Sequence, residues 1–168
     1  MPSKPIDPDS NTEYRLEPMG EEAMPRTEAQ ENILKEVRMS LVRNSPEDWH
    51  EIILSASMLY SRSAFDTRVA YADRKQERMN TPIDVKMNLM DLRERMYHES
   101  RGAWFSVVFG VGRSGYFTVD FNYCNEPSFR GTAPMDDEYA SDLERFPRSP
   151  EATPEWLRRK IEAAAPEG

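Results

Sequence analysis

The side chains able to do chemistry are few and scattered along this chain. The two histidines, His50 and His98, and the single cysteine, Cys124, show neither a nucleophile–base arrangement nor the ligand spacing of a zinc site. Gly110-Val111-Gly112 is similar to part of a phosphate-binding loop, but it lies between two predicted strands, whereas such a loop needs a helix after it. The sequence therefore predicts no catalytic residue, no metal ligand and no cofactor.

Carboxylates are the densest reactive groups, and they cluster near the carboxyl end of the chain. Asp136, Asp137 and Glu138 are consecutive, and Asp142 and Glu144 follow. Two convergent carboxylates could act as a general acid and a general base. Acids in the first turn of a helix are also explained by the helix dipole, and runs of charge usually form solvated faces. We therefore expect these residues to bind a partner, and catalysis by them stays an alternative.

The charge of the chain is acidic and unevenly distributed. The formal net charge is −8; residues 1–25 carry six acids and two bases, residues 134–168 carry nine acids and five bases, and the middle is neutral. Net acidity argues against binding of a nucleic-acid backbone and suits a basic partner. The lone cysteine indicates a reducing compartment, and no apolar run is long enough to cross a membrane. Because no signal peptide is visible, we expect a cytoplasmic location.

Proline content and hydrophobic periodicity predict a tail followed by one domain. Residues 1–25 contain five prolines and few apolar side chains, so we expect a disordered acidic tail there, and a single α+β domain over 26–168. Thr27 and Gln30 have the spacing of a capping box, which predicts that the first helix begins there. Thr81-Pro82 predicts the start of a second helix.

Alternating apolar residues predict four strands, and two short helices are expected to close the domain. The charged segment 73–80 is interpreted as a connection, and a turn is expected at residues 63–66. The strands are expected at about 52–60, 67–71, 104–111 and 117–123, and the closing helices at about 135–145 and 154–164. The element order is α-β-β-α-β-β-α-α. Hairpin connections then predict a two-layer fold, with a mostly antiparallel four-stranded sheet and helices packed on one face.

The block from Tyr116 to Leu157 combines an aromatic strand, an acidic helix and two proline-marked segments. Its motifs are Phe121-Asn122-Tyr123, Glu126-Pro127, Tyr139, the run from Asp142 through Leu143-Glu144-Arg145-Phe146-Pro147 to Arg148, and Pro154-Glu155-Trp156-Leu157. Through these motifs the chain resembles the YezG-like immunity proteins, which are antitoxins that neutralise bacterial polymorphic or contact-dependent toxins. The resemblance covers roughly residues 50–160 and is specific from residue 116 onward. The family pattern often has acids where this chain has Asn122 and Cys124, so the resemblance implies no acidic contact at those two positions.

The resemblance implies a small cytoplasmic protein that binds one toxin domain and is not itself an enzyme. We expect it to bind neither nucleic acid nor a membrane. The residues predicted to contact the toxin are Asp136, Asp137, Glu138, Tyr139, Asp142, Glu144, Phe146 and Trp156. For Phe146 and Trp156 the alternative is that they pack the closing helices onto the sheet. For the whole chain the alternatives are a small carboxylate-dependent enzyme and a scaffold subunit of a larger complex.

Overall fold

The structure, a computed structural model, describes residues 25–166 of the chain. The predicted tail, apart from residue 25, lies outside the described residues. The elements in chain order are α1 (Glu28–Asn44), β1 (Glu51–Leu59), β2 (Arg62–Ala70), β3 (Gln76–Met79), α2 (Ile83–Met96), β4 (Ser106–Gly112), β5 (Phe117–Asn122), α3 (Asp136–Arg145) and α4 (Glu155–Ala164). A short 3-10 turn, Pro150–Ala152, lies between α3 and α4.

Five antiparallel strands form one sheet in the order β3-β2-β1-β4-β5. The central strand β1 pairs with β2 on one side, where Ser55 lies opposite Asp66, and with β4 on the other, where Ser55 lies opposite Val108. The predicted α+β class and the antiparallel pairing are confirmed. The prediction of four strands is wrong, and the element order is corrected to α-β-β-β-α-β-β-α-α.

The strand missing from the prediction is β3. Its sequence, Gln-Glu-Arg-Met, has no apolar alternation, and three of its four residues are exposed. It pairs with β2 from Met79 opposite Thr67 to Gln76 opposite Ala70. An edge strand is held by backbone hydrogen bonds along one side and needs no buried side chain, so hydrophobic periodicity does not reveal it.

The turn predicted at residues 63–66 is also wrong. The pairing of β1 with β2 continues to Leu59 opposite Arg62, so the chain reverses at Tyr60 and Ser61. Ser63 and Asp66 are polar and lie on opposite faces of β2, so together they break the apolar alternation and resemble turn residues.

One face of the sheet is covered by α1 and α2. The predicted capping box of α1 is confirmed, since the Thr27 hydroxyl accepts from the Gln30 N–H and the Gln30 side chain accepts from the Thr27 N–H, each at 3.1 Å. Both helices bury their apolar stripes against alternate residues of the strands. The resulting main hydrophobic cluster includes Leu34, Val37, Leu41, Leu54, Val85, Leu89, Leu92, Trp104 and Phe109.

Helices α3 and α4 do not join that layer. They form a second, smaller cluster with the end of β1 and the start of β4, whose buried residues are Leu59, Phe105, Tyr139 and Leu157. Met58 belongs to the main cluster, and Leu59 follows it in the same strand, so the two side chains point to opposite faces of the sheet. The prediction that the helices pack on one face therefore holds for α1 and α2 and is wrong for α3 and α4.

Candidate functional site

The residues predicted to bind a partner divide between two sides of α3. Tyr139 and Asp142 are only 2% and 5% exposed, whereas Asp137 and Glu144 are exposed. Asp137 and Glu144 are seven residues apart, which is close to two helical turns, so they share the outer face of the helix. The structure thus presents two of the predicted acids to solvent on one face and turns two of the predicted residues inward.

Asp142 is bound inside the protein by Arg93 of α2. Arg93 Nη1 donates to Asp142 Oδ1 at 2.7 Å and Nη2 donates to Oδ2 at 2.9 Å, a bidentate ion pair in which neither side chain is more than 7% exposed. Asp142 Oδ1 also accepts the backbone N–H of Tyr60 at 2.6 Å, and Arg93 Nε donates to the Trp104 carbonyl at 2.7 Å. Asp142 therefore joins α3 to α2 and to the β1–β2 turn, and a partner docking on this conformation does not reach it.

The segment that follows α3 is also held from within. Phe146 is 7% exposed, and the guanidinium groups of Arg93 and Arg145 lie 5.0 and 5.2 Å from the centre of its ring. Burial lowers the pKa of Arg148 to about 10, which still leaves it charged at neutral pH. Its guanidinium donates at 2.7–2.9 Å to three backbone carbonyls, those of Tyr123, Ala152 and Ala103. These bonds fix the chain between α3 and α4.

Trp156 anchors α4 to the same cluster. Its indole N–H donates to the Cys124 carbonyl at 2.7 Å. Its ring meets the rings of Phe105 and Tyr139 edge-on, with centroids 5.3 and 5.7 Å apart. Burial raises the pKa of Tyr139 to about 12. Phe146, Trp156 and Tyr139 therefore all pack within the protein. For Phe146 and Trp156 this is the alternative in which they hold the closing helices in place.

The first turn of α3 is held by ion pairs that leave its acids partly accessible. Glu138 Oε1 accepts from Arg62 Nε at 2.9 Å, and Oε2 accepts from the backbone N–H of Met135 at 2.8 Å. These two hydrogen bonds hold the pKa of Glu138 below its ordinary value. The Asp136 carboxylate lies 3.8 Å from Lys160 Nζ of α4. Glu138 therefore links α3 to β2. The Asp136–Lys160 ion pair, at 3.8 Å, constrains α3 less.

A cleft of about 280 Å³ lies beside the buried Arg93–Asp142 pair. Its walls come from the β1–β2 turn, from α2 and from the end of α3. Tyr60 and Met90 on its rim are 63% and 48% exposed. No sequence pattern predicts this cleft, because its three walls are brought together only by the tertiary fold. Tyr60 is the aromatic side chain that a partner could contact and that the sequence prediction missed.

The described residues, 25–166, include no group of three or more His, Cys, Asp or Glu side chains placed to hold a metal ion. Within the same range, no helix has the length and apolar character needed to span a membrane. His98 forms a local hydrogen bond with the Ser100 hydroxyl at 2.7 Å, which accounts for its position. The chain matches no model of a known protein family and no curated protein. Geometry and chemistry must therefore carry any assignment of function.

Proposed function

We propose that this chain is an immunity protein that binds a cognate bacterial toxin domain in the cytoplasm and blocks the active or substrate-binding surface of that toxin without catalysis. The observation that carries the proposal is the outer face of α3, where Asp137 and Glu144 are exposed on a helix whose inner face is fully engaged. The resemblance of the block from Tyr116 to Leu157 to immunity proteins supports the same conclusion.

An acidic helix face suits a basic partner. Toxins that act on nucleic acids need positive surfaces to hold phosphates, and an inhibitor with exposed carboxylates gains both faster association and complementarity. Tyr60, beside the end of α3, adds an aromatic ring of the kind that anchors protein interfaces. The exposed acids would steer the toxin, and the tyrosine would supply buried contact area.

The internal bonds of α3 make that face rigid. The Arg93–Asp142 pair, the Arg62–Glu138 pair and the three carbonyl bonds of Arg148 fix the helix through its inner side and its ends. None of these bonds uses Asp137 or Glu144. A partner would therefore meet a preorganised surface, and binding would cost little ordering entropy.

The cleft beside the Arg93–Asp142 pair lacks the paired carboxylates that the alternative of a carboxylate-dependent enzyme requires. Among the residues that line it, Glu94 is the one acid, and its carboxylate is paired with Arg145 at 3.0 Å. Acid–base catalysis by carboxylates needs two of them converging on one substrate. The scaffold alternative would instead use α2, where Ile83 and Met87 are 77% and 65% exposed.

The test is binding of the purified chain to the toxin domain encoded beside its gene, measured by calorimetry together with the activity of the toxin. Replacing Asp137→Lys and Glu144→Lys together is expected to weaken binding about a hundredfold, because like charges then face each other across the interface. The melting temperature should change little, since both residues are exposed.

The matched control carries the same change in charge elsewhere. Glu36 and Glu47 are exposed, and neither lies in α3 or beside the cleft. Glu36→Lys with Glu47→Lys should leave affinity within about threefold of the unmodified chain, because its charges act only at long range. Equal losses in the two double variants would show that α3 is not the contact face. Failure of the unmodified chain to bind and neutralise the toxin would end the proposed function itself.

A further inference from the structure

Three arginines on the opposite side of the sheet from α1 and α2 converge on one carboxylate. Asp66 Oδ2 accepts from Arg68 Nε at 2.9 Å, Oδ1 accepts from Arg130 Nη1 at 2.8 Å, and Arg78 Nε forms an ion pair with Oδ1 at 3.0 Å. Burial opposes ionisation of Asp66, but the hydrogen bond and charge of Arg68, with the charges of Arg130 and Arg78, hold its pKa below the ordinary value. Three positive charges thus surround one negative charge. We call Asp66 and these arginines the arginine cluster.

Most guanidinium N–H groups of the arginine cluster are not used in the contact with Asp66. Side chains of Arg68, Arg78 and Arg130 are 46%, 53% and 51% exposed, whereas that of Asp66 is 18% exposed. A guanidinium has five N–H donors; Asp66 accepts one hydrogen bond from Arg68 and one from Arg130, and Arg78 is held by charge alone. Arg68 and Arg78 also lie directly opposite each other across β2 and β3, where like charges repel. A second anion would relieve that repulsion and find donors already in place.

A shallow open strip of the sheet adjoins the cluster. Ser55 lies opposite Asp66 on β1, and Val108 lies opposite Ser55 on β4; Ser55 is exposed, and Val108 is 43% exposed. The next position of β4 on this face is Gly110, above which the side chains of Thr118 and Tyr116 lie, so the open part of the strip ends there. The connection before α3 covers the far end of this face, where the Ser57 hydroxyl donates to the Ser128 carbonyl at 2.8 Å, and it reaches Asp66 through Arg130.

We propose that the arginine cluster and this strip bind an acidic, extended segment of a partner protein, with an Asp or Glu carboxylate held by the unused N–H groups of Arg68, Arg78 and Arg130. Asp66 shows that the three guanidinium groups accept a carboxylate as their ligand. Ser55 and Val108 are exposed, so a backbone can lie over this part of the strip beside the cluster. The surface is separate from the outer face of α3, so the inference does not depend on the proposed toxin contact.

Acidic protein fits this surface better than nucleic acid. The aromatic ring beside the open strip on this face is that of Tyr116, which packs over Gly112 and donates its hydroxyl hydrogen to Glu51, so it is held at the end of β4 and not beside the arginines. Every nucleotide carries a phosphate, and Asp120, exposed on β5 on the same face, would repel those at that end of the strip, whereas a peptide can place a neutral residue there.

The experiment uses the full chain and a fluorescent peptide of alternating Glu and Thr, with binding measured by anisotropy at about 20 mM salt, where screening is weak. Arg68→Gln with Arg78→Gln is expected to weaken binding at least about tenfold. The control, Arg43→Gln with Arg159→Gln, removes the same charge from side chains that are 63% and 76% exposed on α1 and α4. It should change affinity by less than about twofold, because isolated surface charges act weakly.

A gain of affinity provides a second readout that unfolding does not mimic. Asp66→Asn removes the internal carboxylate and leaves the three arginines, so the peptide should bind about threefold to tenfold more tightly. Equal weakening by both arginine pairs, or no peptide binding at all, would overturn the proposal. Tighter binding of a single-stranded oligonucleotide with the same dependence on Arg68 and Arg78 would assign the surface to nucleic acid instead.

A third experiment tests whether the acidic residues that precede the described part of the chain bind the arginine cluster themselves. A full-length variant in which these six are replaced by Asn or Gln tests them as rival occupants: Asp7, Asp9, Glu13, Glu17, Glu21 and Glu22. Unchanged peptide affinity in this variant supports an external partner. Peptide binding that arises only in this variant would assign the arginine cluster to the chain's own acidic segment and overturn the proposal.

Discussion

We call α3, α4 and the segment between them the carboxyl-terminal layer. This layer and the arginine cluster both contain several charged side chains, but they differ in how those charges are paired. In the layer, Asp142 accepts three hydrogen bonds and Arg148 donates to three carbonyls, so each charge is matched by internal partners. In the cluster, three guanidinium groups share the single carboxylate of Asp66. A buried charge must be fully paired, whereas an exposed one is solvated by water. The surplus of N–H donors, rather than the density of charge, is therefore the basis for proposing a partner at the arginine cluster.

The same comparison separates two roles within α3. The motif that resembles the immunity proteins runs from Asp142 to Arg148, and its best-bonded side chains hold the helix in place. Asp137 and Glu144, on the outer face, are exposed. We therefore expect variants of the inner residues to change stability, and variants of the outer residues to change binding alone.

The largest effect should come from removing Asp142. Asp142→Ala leaves Arg93 charged and buried without its partner, so the free energy of unfolding should fall by about 3–5 kcal/mol in urea titrations. The exposed Glu94–Arg145 pair provides the control, and Glu94→Gln should cost less than about 1 kcal/mol. Similar costs in the two variants would show that the buried pair is not what holds α3.

A smaller loss should follow from Arg148→Lys, although the charge is kept. A lysine ammonium does not reproduce the planar fork that reaches the carbonyls of Tyr123, Ala152 and Ala103 together. Leaving one or two buried carbonyls unsatisfied should cost about 2–3 kcal/mol of unfolding free energy. Arg158→Lys on α4, whose guanidinium donates to the Pro150 carbonyl from an exposed position, is the matched control. A stability of Arg148→Lys equal to that of its control would contradict the role given to the fork.

The smallest effect concerns acid pH. Hydrogen bonds from Arg62 and from the Met135 N–H lower the pKa of Glu138 in the folded state, so its stabilising contribution is present above the ordinary glutamate pKa and is lost as pH falls through the lowered value. Glu138→Gln should therefore flatten the loss of stability between about pH 5 and pH 3. Urea midpoints measured across this range would test it, with Glu144→Gln as the control. A pH dependence of Glu138→Gln identical to that of the unmodified chain would exclude the contribution.

The elements that bury apolar side chains were predictable from the sequence. The alternation in β1 and β5 and the capping box of α1 follow from local residue spacing, and the structure has them close to the expected positions. β3 was not predictable, because an edge strand of polar residues exists only where β2 offers its backbone. The helices α3 and α4 were found, but the face that they cover depends on contacts distant in sequence.

The candidate site was predictable only in its residue types. The acids near the carboxyl end follow from the sequence, but the sequence does not show that Asp142 meets Arg93, which lies 49 residues earlier. The convergence of Arg78 and Arg130 on Asp66 is equally hidden, since the three residues come from two strands and a loop. Pairing of charges is a tertiary property, and it decides which charged side chains remain for a partner.

The central position of β1 in the sheet has a consequence for folding during translation. One side of β1 is paired as soon as β2 emerges, but the other waits for β4, roughly 50 residues later, or about 3–10 s at ordinary rates of translation. During that interval an apolar strand edge is open to other polypeptides. Efficient production of this protein in cells should therefore depend on chaperones that shield the ribosome-bound half.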